Sequence, residues 1–556
     1  MNRFIGKLPS LKLFQNAYYN HWSNVAIVDN NSLIGKNDRS FTYRQLLAAS
    51  NEVAGELLRS KRLANRVEDL ECERVAFISE PGFNYVKSQW AIWRAGGVAV
   101  PLALSHPPAE HRYTLTDSKP SVIISTRTMS PKMVELSKEL NIPLIILDDL
   151  DEAAATTTNG TGFDNIDDVV NKIKLKDSEV INIDPGRNAM IIYTSGTTNK
   201  PKGCVSTHGN IESQVKALIG PWRWSPQDRI LHTLPLHHVH GVINALTCPL
   251  FTGATVEMMN HFDASTVNNR IVNGYKNKDN NNNINSNSSI SSSSPPISVF
   301  MAVPTIYSKL LENYDRGGHS SEQKQLISDA WSSLRLMVSG SASLPTPIFN
   351  RWKEITGHKL LERYGMTEIG MALSNSYDQQ MRFPGTVGYP LPFVDAKIDE
   401  DGQLLIRGPQ VFKEYWGRPE ETAKNFTKDG YFMTGDTVAK DGEIYRILGR
   451  TSVDIIKSAA YKISALEIEY ELLAHPSIAE VAVLGIPSEE YGQIIGALVV
   501  MKPNTKDLTY DELKQWCSNK LASYKTPRRL KILKEIPKNA MLKVNKKSLV
   551  QLFEKD

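Results

Sequence analysis

The stretch Tyr193-Thr194-Ser195-Gly196-Thr197-Thr198-Asn199-Lys200-Pro201-Lys202-Gly203 packs four aliphatic hydroxyls, two glycines and two lysines into eleven residues, directly after the apolar run Ala189–Ile192. Such a composition can wrap a polyanion. Glycines let backbone N–H groups come close. Hydroxyls donate to phosphate oxygens, and a lysine supplies a point charge. The G-x-x-x-x-G-K-[ST] spacing of the common NTPase P-loop is absent. Taken alone, the run also reads as a flexible surface turn.

Further blocks follow in order. Leu234-Pro235-Leu236-His237-His238-Val239-His240-Gly241 crowds three histidines together. No Cys or carboxylate lies beside them, so they do not read as a metal site. Ser339-Gly340-Ser341-Ala342 is a small-residue turn after a strand-like run, where α/β sheets bind ligands. Glu362-Arg363-Tyr364-Gly365-Met366-Thr367-Glu368 joins a cation, an aromatic ring, a hydroxyl and two acids. Tyr431-Phe432-Met433-Thr434-Gly435-Asp436 ends on a carboxylate able to accept from both hydroxyls of a ribose. Gly449-Arg450 follows, and Pro537-Lys538-Asn539-Ala540-Met541-Leu542-Lys543 lies near the end of a lysine-rich stretch. Most of that charge is the kind that forms a solvated face.

Together, and over nearly the whole chain, these blocks resemble the adenylate-forming superfamily: acyl-CoA synthetases, luciferases and peptide-synthetase adenylation domains. The resemblance implies a two-step ligase that uses ATP, Mg²⁺ and coenzyme A. It makes Thr194, Ser195, Gly196, Thr197, Thr198, Asn199, Lys200, Pro201 and Lys202 the clamp on the β- and γ-phosphates. It makes Tyr364 the ring stacked on adenine, with Gly365 beside it. Thr367 becomes a phosphate contact, Glu368 the magnesium ligand, Asp436 the ribose acceptor and Arg450 a ribose or phosphate contact. Lys543 would swing over the α-phosphate, so the catalytic set is Lys543, Glu368, Thr194 and Lys202. The acyl pocket would take His238, Ser341 and Met366. The requirement is physical as well. A hard cation takes one or two carboxylates plus phosphate oxygens, and the charge of ATP must be offset before a carboxylate can attack it.

Arg363 is not needed for that chemistry. Its block, with Pro384-Gly385-Thr386-Val387-Gly388 and Leu236-His237-His238-Val239-His240-Gly241-Val242, resembles the malonyl-CoA synthetases, in particular their mitochondrial type. There a cation at this position and a second in the Val303-Pro304-Thr305-Ile306-Tyr307-Ser308-Lys309 helix bind the far carboxylate. The second would be Lys309. A dicarboxylate offers one carboxylate to ATP and leaves one to bury, and an unpaired buried charge costs several kcal/mol. Arg363 or Lys309 could instead pair with a surface acid.

The chain departs from the family at two places. Paired glycines are replaced by Ala459-Ala460, in a loop that would line the pantetheine tunnel, and Leu542 stands where a glycine usually precedes the terminal lysine. The added methyls would strain any residue held at positive φ. Two other readings therefore stay open: a nucleotide- and acid-binding protein with weak thioester chemistry, and an enzyme that loads a carrier protein.

The elements that must hold these blocks show in the pattern of apolar runs. Short runs at Arg74–Ile78, Val98–Leu102, Val122–Ser125, Leu144–Leu147, Ile297–Val303, Leu334–Val338 and Ala396–Ile398 read as strands. Helical stretches at 41–59, Tyr85–Ala95 and His111–Thr116 lie between the first of them. This predicts an α/β fold: a large N-terminal domain of stacked β-sheets flanked by helices over 1–450, and a small mobile α+β lid over 451–556 turning about a hinge near Thr451–Val453. Capping boxes at Ser464–Glu467 and Thr509–Glu512 open the lid's helices, and Val481–Leu484 and Ala497–Met501 read as its strands. The Asn/Ser-rich stretch 277–296 is expected to be a disordered surface insertion.

At 556 residues with a net charge of +4, no basic stripe for nucleic acid and four scattered cysteines, the chain reads as a protein of a reducing compartment. No apolar run is long enough to span a membrane. The family resemblance implies small-molecule partners (malonate, ATP and CoA), the chain standing as a monomer or weak dimer. Before the first acid, Asp29, come Arg3, Lys7 and Lys12 among apolar residues. That start resembles a mitochondrial presequence or is the domain's first helix. The expected location is the mitochondrial matrix, with the cytoplasm as the alternative.

Overall fold

The structure is a computed structural model that describes residues 8–29, 38–65, 69–148, 180–194, 200–281, 295–459, 461–518, 520–538 and 544–554. Its strands gather into mixed sheets. The first runs Glu414–Tyr415, Lys202–Thr207, Asn188–Thr194, Val98–Pro101, Arg74–Ile78, Val122–Thr126 and Leu144–Leu147. Its last four strands are mutually parallel. Each of those but the outermost is almost wholly buried, as covering a sheet on both faces requires. The second and larger sheet runs from Tyr389–Pro390 through Gly370–Ser374, Leu361–Met366, Leu336–Ser339, Val299–Ala302, Arg229–His232 and Thr255–Met258 to Val25–Asp29 and Arg39–Thr42. Its centre is parallel too.

Both sheets change character where the candidate residues lie. Asn188–Thr194 and Lys202–Thr207 form an antiparallel hairpin with Thr194 opposite Lys202. Leu361–Met366 and Gly370–Ser374 form another, whose tight turn carries Thr367 and Glu368. A four-stranded antiparallel sheet, Asp395–Ile398, Gln403–Arg407, Phe432–Asp441 and Ile444–Arg450, sets Asp436 opposite Arg450.

The helix Lys12–Tyr19 belongs to the main core, with Leu13, Phe14 and Ala17 buried. Phe14 packs 5.0 Å from Trp90, centroid to centroid. Residues 8–19 thus follow the first-helix reading of the N-terminus. Past Arg450 the core changes. One apolar cluster runs from Ile456 to Leu521 and another from Ala482 to Phe553, each drawn wholly from that part of the chain. A five-stranded sheet sits between them: Tyr461–Ser464, Ile455–Ser458, Gly492–Met501 and Ile478–Ser488, with Arg529–Leu533 parallel to Gly492–Met501.

The expected strands are present, most within a residue or two at their ends. The expected helix over 41–59 is longer, Tyr43–Asn65. The helix Ala264–Asn281 carries on into the Asn-rich insertion expected from residue 277, and 282–294 lie outside the described residues. Asparagine is a poor helix former, so packing of the helix's first turns carries its last one. At Thr509 the capping box is complete: Thr509 N donates to Glu512 Oε2 (2.8 Å) and Glu512 N to Thr509 Oγ1 (3.3 Å). At Ser464 it is half made. Glu467 N donates to Ser464 Oγ (3.1 Å), but the Glu467 carboxylate is taken by the Lys525 ammonium.

Candidate active site

The phosphate-loop residues divide into ends and middle. Thr194 and Lys202 face each other across the base of the hairpin. Lys200 is exposed and Pro201 half-buried, while Ser195, Gly196, Thr197, Thr198 and Asn199 lie outside the described residues. The Lys202 ammonium pairs with Glu421 and stands 5.3 Å from the Tyr415 ring centroid. Tyr415 reaches the other way too: its hydroxyl donates to Glu368 Oε1 at 2.9 Å. Glu368 is 6% exposed. One tyrosine thereby places the expected magnesium carboxylate over the expected phosphate lysine. That donor set suits a small hard cation, which needs only one protein carboxylate when phosphate oxygens and water complete its shell. Among the described residues no three His, Cys, Asp or Glu side chains converge to hold a metal by themselves.

The nucleotide end is a chain of charges. The Tyr364 hydroxyl donates to Asp436 Oδ2. Arg450 Nε lies 3.0 Å from Asp436 Oδ1, and its Nη1 donates to Thr434 O at 2.7 Å. Burial pushes the Asp436 carboxyl up, with Arg450 and the Tyr364 hydroxyl opposing. Burial, the largest single influence, would depress Arg450, yet Asp436, Tyr364, Glu368 and Asp454 together hold the guanidinium above its ordinary value. Gly365 allows the close approach of the two strands here: a Cβ on it would lie 2.1 Å from Gly370 O. Met366 and Tyr364 pack against the small core beneath.

The acid end differs. Arg363 is 4% exposed, and its Nε and Nη2 have no hydrogen-bond partner among the described residues. Burial pushes the guanidinium down, although arginine keeps its proton at neutral pH. It lies flat against Gly340, where a Cβ would stand 2.4 Å from Arg363 Cζ. Ser339 Oγ and His240 Nε2 are likewise buried without partners. His240 Nδ1 lies 3.2 Å from the Ser341 hydroxyl. Burial, reinforced by Arg363, drives the His240 ring far below its usual value, so it is neutral. Ser341 itself is held at φ 68°. A group of unsatisfied donors around a buried cation is costly unless something anionic completes it.

Several expected residues fall elsewhere. Lys309 is exposed on the helix Pro304–Arg316, so it is not a second buried cation beside Arg363. The physical reason is helical phase: Tyr307, Leu310 and Leu311 face the core, and two residues past Tyr307 points outward. His238 is half-buried with its ring 4.2 Å from that of His237, and the helix His240–Thr247 that follows is a wide π-turn. Ala459 is described, at φ 51°. Ala460, Leu542 and Lys543 lie outside the described residues.

Sequence reasoning missed Tyr415, Glu421, Gly340 and His240. Tyr415 and Glu421 sit in Glu414-Tyr415-Trp416-Gly417-Arg418-Pro419-Glu420-Glu421, a turn-and-helix-start pattern with no sign of what it touches. It also missed a second network near the expected hinge. Asp454 Oδ2 accepts from Arg450 N at 3.0 Å and Oδ1 from Lys546 Nζ at 2.6 Å. Lys546 also lies 2.7 Å from Glu469 Oε1.

The two hairpins, Tyr415 between Lys202 and Glu368, and the Asp436–Arg450 pair match the arrangement expected of a nucleotide-using, adenylate-forming site. The profile of the AMP-binding enzymes matches residues 14–278 and 294–416, and that of the AMP-binding enzyme C-terminal domain matches 467–543; the chain belongs to this family. It is 42% identical to the mitochondrial malonate–CoA ligase ACSF3 of Homo sapiens, over 95% of this chain and 91% of that one. It is 39% identical to the malonate–CoA ligase of Arabidopsis thaliana, over 93% and 85%. Among solved structures it resembles ATP-bound MatB from Rhodopseudomonas palustris (TM-score 0.77, 28% identity, 98% of both chains). It also resembles a malonyl-CoA ligase product complex with methylmalonyl-CoA and AMP bound (TM-score 0.59, 29% identity, 93% and 98%).

Proposed function

We propose that this chain is an AMP-forming acid–thiol ligase that joins malonate to coenzyme A through malonyl-AMP, using ATP and Mg²⁺. The observation that carries the choice of acid is Arg363: a buried guanidinium with unpaired Nε and Nη2 beside neutral His240 and an unpaired Ser339 hydroxyl. A second carboxylate completes that pocket. An alkyl tail leaves its cation unpaired, at a cost of several kcal/mol.

In the first step a malonate carboxylate oxygen attacks the α-phosphorus of ATP, the bond to the β-phosphate breaks, and pyrophosphate leaves. Lys202 exchanges Glu421 for phosphate, Lys543 offsets charge at the α-phosphate, and Thr194 and Thr367 donate to phosphate oxygens. Asp436 and Arg450 hold the ribose, and Tyr364 and Gly365 the adenine. Magnesium, held by Glu368, would neutralise phosphate charge. In the second step the thiol sulfur of CoA attacks the malonyl carbonyl carbon. The bond to the AMP oxygen breaks, the thiol proton goes to solvent, and AMP leaves. We place the domain boundary at 450/451, with rotation about Thr451–Val453 between the steps. A crosslink fixing the arrangement of the first step should permit pyrophosphate release and block thioester formation. If both steps survive, the rotation is wrong.

The test of substrate is a panel of malonate, methylmalonate, acetate and a long-chain acid, with and without CoA, following pyrophosphate and acyl-CoA. Malonate should lead, with methylmalonate next. Acetate turned over as well as malonate overturns the assignment. Pyrophosphate without thioester would favour the second reading, a loader of another thiol, for which Ala459 at φ 51° in the expected CoA loop is the specific support. The mitochondrial names of the mammalian relatives support a matrix location, checked by fractionation and import of a tagged chain. Size-exclusion with light scattering would decide monomer against weak dimer.

A further inference from the structure

The two ends of the phosphate loop are tied to one helix by side chains that the reading above gives no role. Tyr113 and Asp117 sit four residues apart on the helix Pro108–Ser118 and so share a face. The Tyr193 hydroxyl, next to the loop's first residue, donates to Asp117 Oδ2 at 2.7 Å. The Tyr113 hydroxyl donates to Pro201 O, at the loop's far end, also at 2.7 Å. Arg418 closes the frame. Its Nη2 donates to Asp117 Oδ1 (2.7 Å) and to the Tyr113 hydroxyl (3.2 Å), and its Nη1 to Asp117 Oδ2 (3.3 Å) and Trp416 O (2.8 Å). Trp416 completes it from the strand side: its N–H donates to Gly203 O (2.8 Å) and its indole to Asp117 O (3.2 Å). Asp117 and Arg418 have side chains 20% and 26% exposed, withdrawn enough for a bidentate pair to hold geometry.

We propose that Asp117, with Tyr113, Tyr193 and Arg418, is a positioning clamp that fixes the span of the phosphate loop before ATP arrives. It rests on the reading that this loop holds the phosphates. The physical argument is pre-organisation: a loop whose ends are already set loses less entropy when its N–H groups and hydroxyls converge on a ligand. An acid beside a polyanion site is otherwise adverse, and here it is neutralised by Arg418. Burial and Asp117 keep the Tyr193 phenol protonated, so it remains a donor.

That placement makes the sign of the test informative. On charge alone, Asp117→Asn removes a negative group and frees a guanidinium near the phosphates, so Mg·ATP should bind tighter. A clamp predicts the reverse. The experiment titrates the full-length protein with Mg·ATP and, separately, with malonate, and records Tm, for wild type, Asp117→Asn, Tyr193→Phe and the double variant. The expected result is a rise in the Kd for Mg·ATP of about tenfold in each single variant, the size of one lost charged hydrogen bond. The double variant should be less than additive, malonate affinity unchanged, and KM for ATP raised with kcat at saturation kept. Tighter or unchanged ATP binding, or a matched loss of both ligands with a falling Tm, overturns the clamp. Tyr193→Phe deletes a single hydroxyl and keeps the test alive if Asp117→Asn misfolds. Because the readout is nucleotide affinity, a wild type that binds ATP but ligates no malonate sinks the substrate reading alone. One that does not bind ATP sinks both.

Discussion

Arg363 and Lys546 are both withdrawn from water, 4% and 8% exposed, and the protein treats them in opposite ways. Lys546 has two carboxylates, Asp454 at 2.6 Å and Glu469 at 2.7 Å. Burial alone would depress its ammonium, but the two acids outweigh that and hold it above the ordinary lysine value. Arg363 has the reverse environment, and burial pushes it down unopposed. Its neighbour in sequence, Glu362, cannot help. Successive residues of a strand point to opposite faces, and Glu362 Oε2 accepts from Leu344 N at 2.9 Å instead. A paired buried cation is structure. On the proposed reading, Arg363, with its idle donors, is a socket whose partner is the substrate's second carboxylate. Arg94, also buried, differs again, since it lies in the last turn of the helix Phe83–Arg94, where terminal carbonyls favour a cation.

The comparison breaks first at Lys546. Lys546→Met should cost about 3–5 kcal/mol of stability by stranding two acids, read as a lowered Tm, and adding Asp454→Asn and Glu469→Gln should restore part of it. No change in Tm would mean the pair is idle. Arg363→Ala should do the opposite: Tm kept or raised, with kcat/KM for malonate down about 100-fold, the cost of unpairing a desolvated charge, and ATP binding retained. Unchanged malonate kinetics would end the socket reading. Gly340→Ala should mimic it in part by displacing the guanidinium.

Glu362 sharpens the contrast through pH. Burial raises its carboxyl from 4.5 to about 8, so the folded chain keeps a proton that the unfolded chain has released. Its contribution to stability is complete below pH 4.5 and is lost as pH rises through about 8. Glu362→Gln should flatten the fall of Tm across that window, and a wild-type slope that persists in the variant would assign it to another group. The smallest effect is expected in the hairpin Ile455–Ser458 and Tyr461–Ser464. Ser458 pairs with Tyr461, and Ala459, the residue after Ser458, carries the positive φ that tight hairpin turns need. Ala459→Gly should relieve about 1 kcal/mol of left-handed strain, offset in part by the added freedom of the unfolded chain, and should raise the thioester rate relative to pyrophosphate release. A slower thioester step would show that the methyl is not an obstacle.

Much of this was legible before any coordinates. Buried parallel strands announce themselves as short apolar runs, because both faces must avoid water, and Arg74–Ile78, Val98–Pro101, Val122–Thr126, Leu144–Leu147, Val299–Ala302 and Leu336–Ser339 were legible that way, whereas Arg229–His232 and Thr255–Met258 were not. The loop at Tyr193–Gly203 could be picked out from its glycines, hydroxyls and lysines, a composition suited to a polyanion, whereas the roles expected of the Tyr364–Glu368 block and Asp436 came from family resemblance. The antiparallel hairpins at 361–374 and 455–464 were not seen, since each strand is too short to show a period.

By itself, then, the sequence determined the elements, the order of the nucleotide blocks and the presence of a cation, Arg363, with no task in the phosphate chemistry. Only the tertiary structure decided which charges are neutralised. It buried Arg363 against Gly340 without a counter-ion among the described residues and turned Lys309 out to solvent by helical phase. It gave Lys546 two acids far off in the chain, Asp454 in a turn and Glu469 in a helix, set Tyr415 between Lys202 and Glu368, and tied both ends of the Tyr193–Gly203 loop to Asp117's helix. Pairing and burial are relations between segments far apart in the chain, and no local pattern records them.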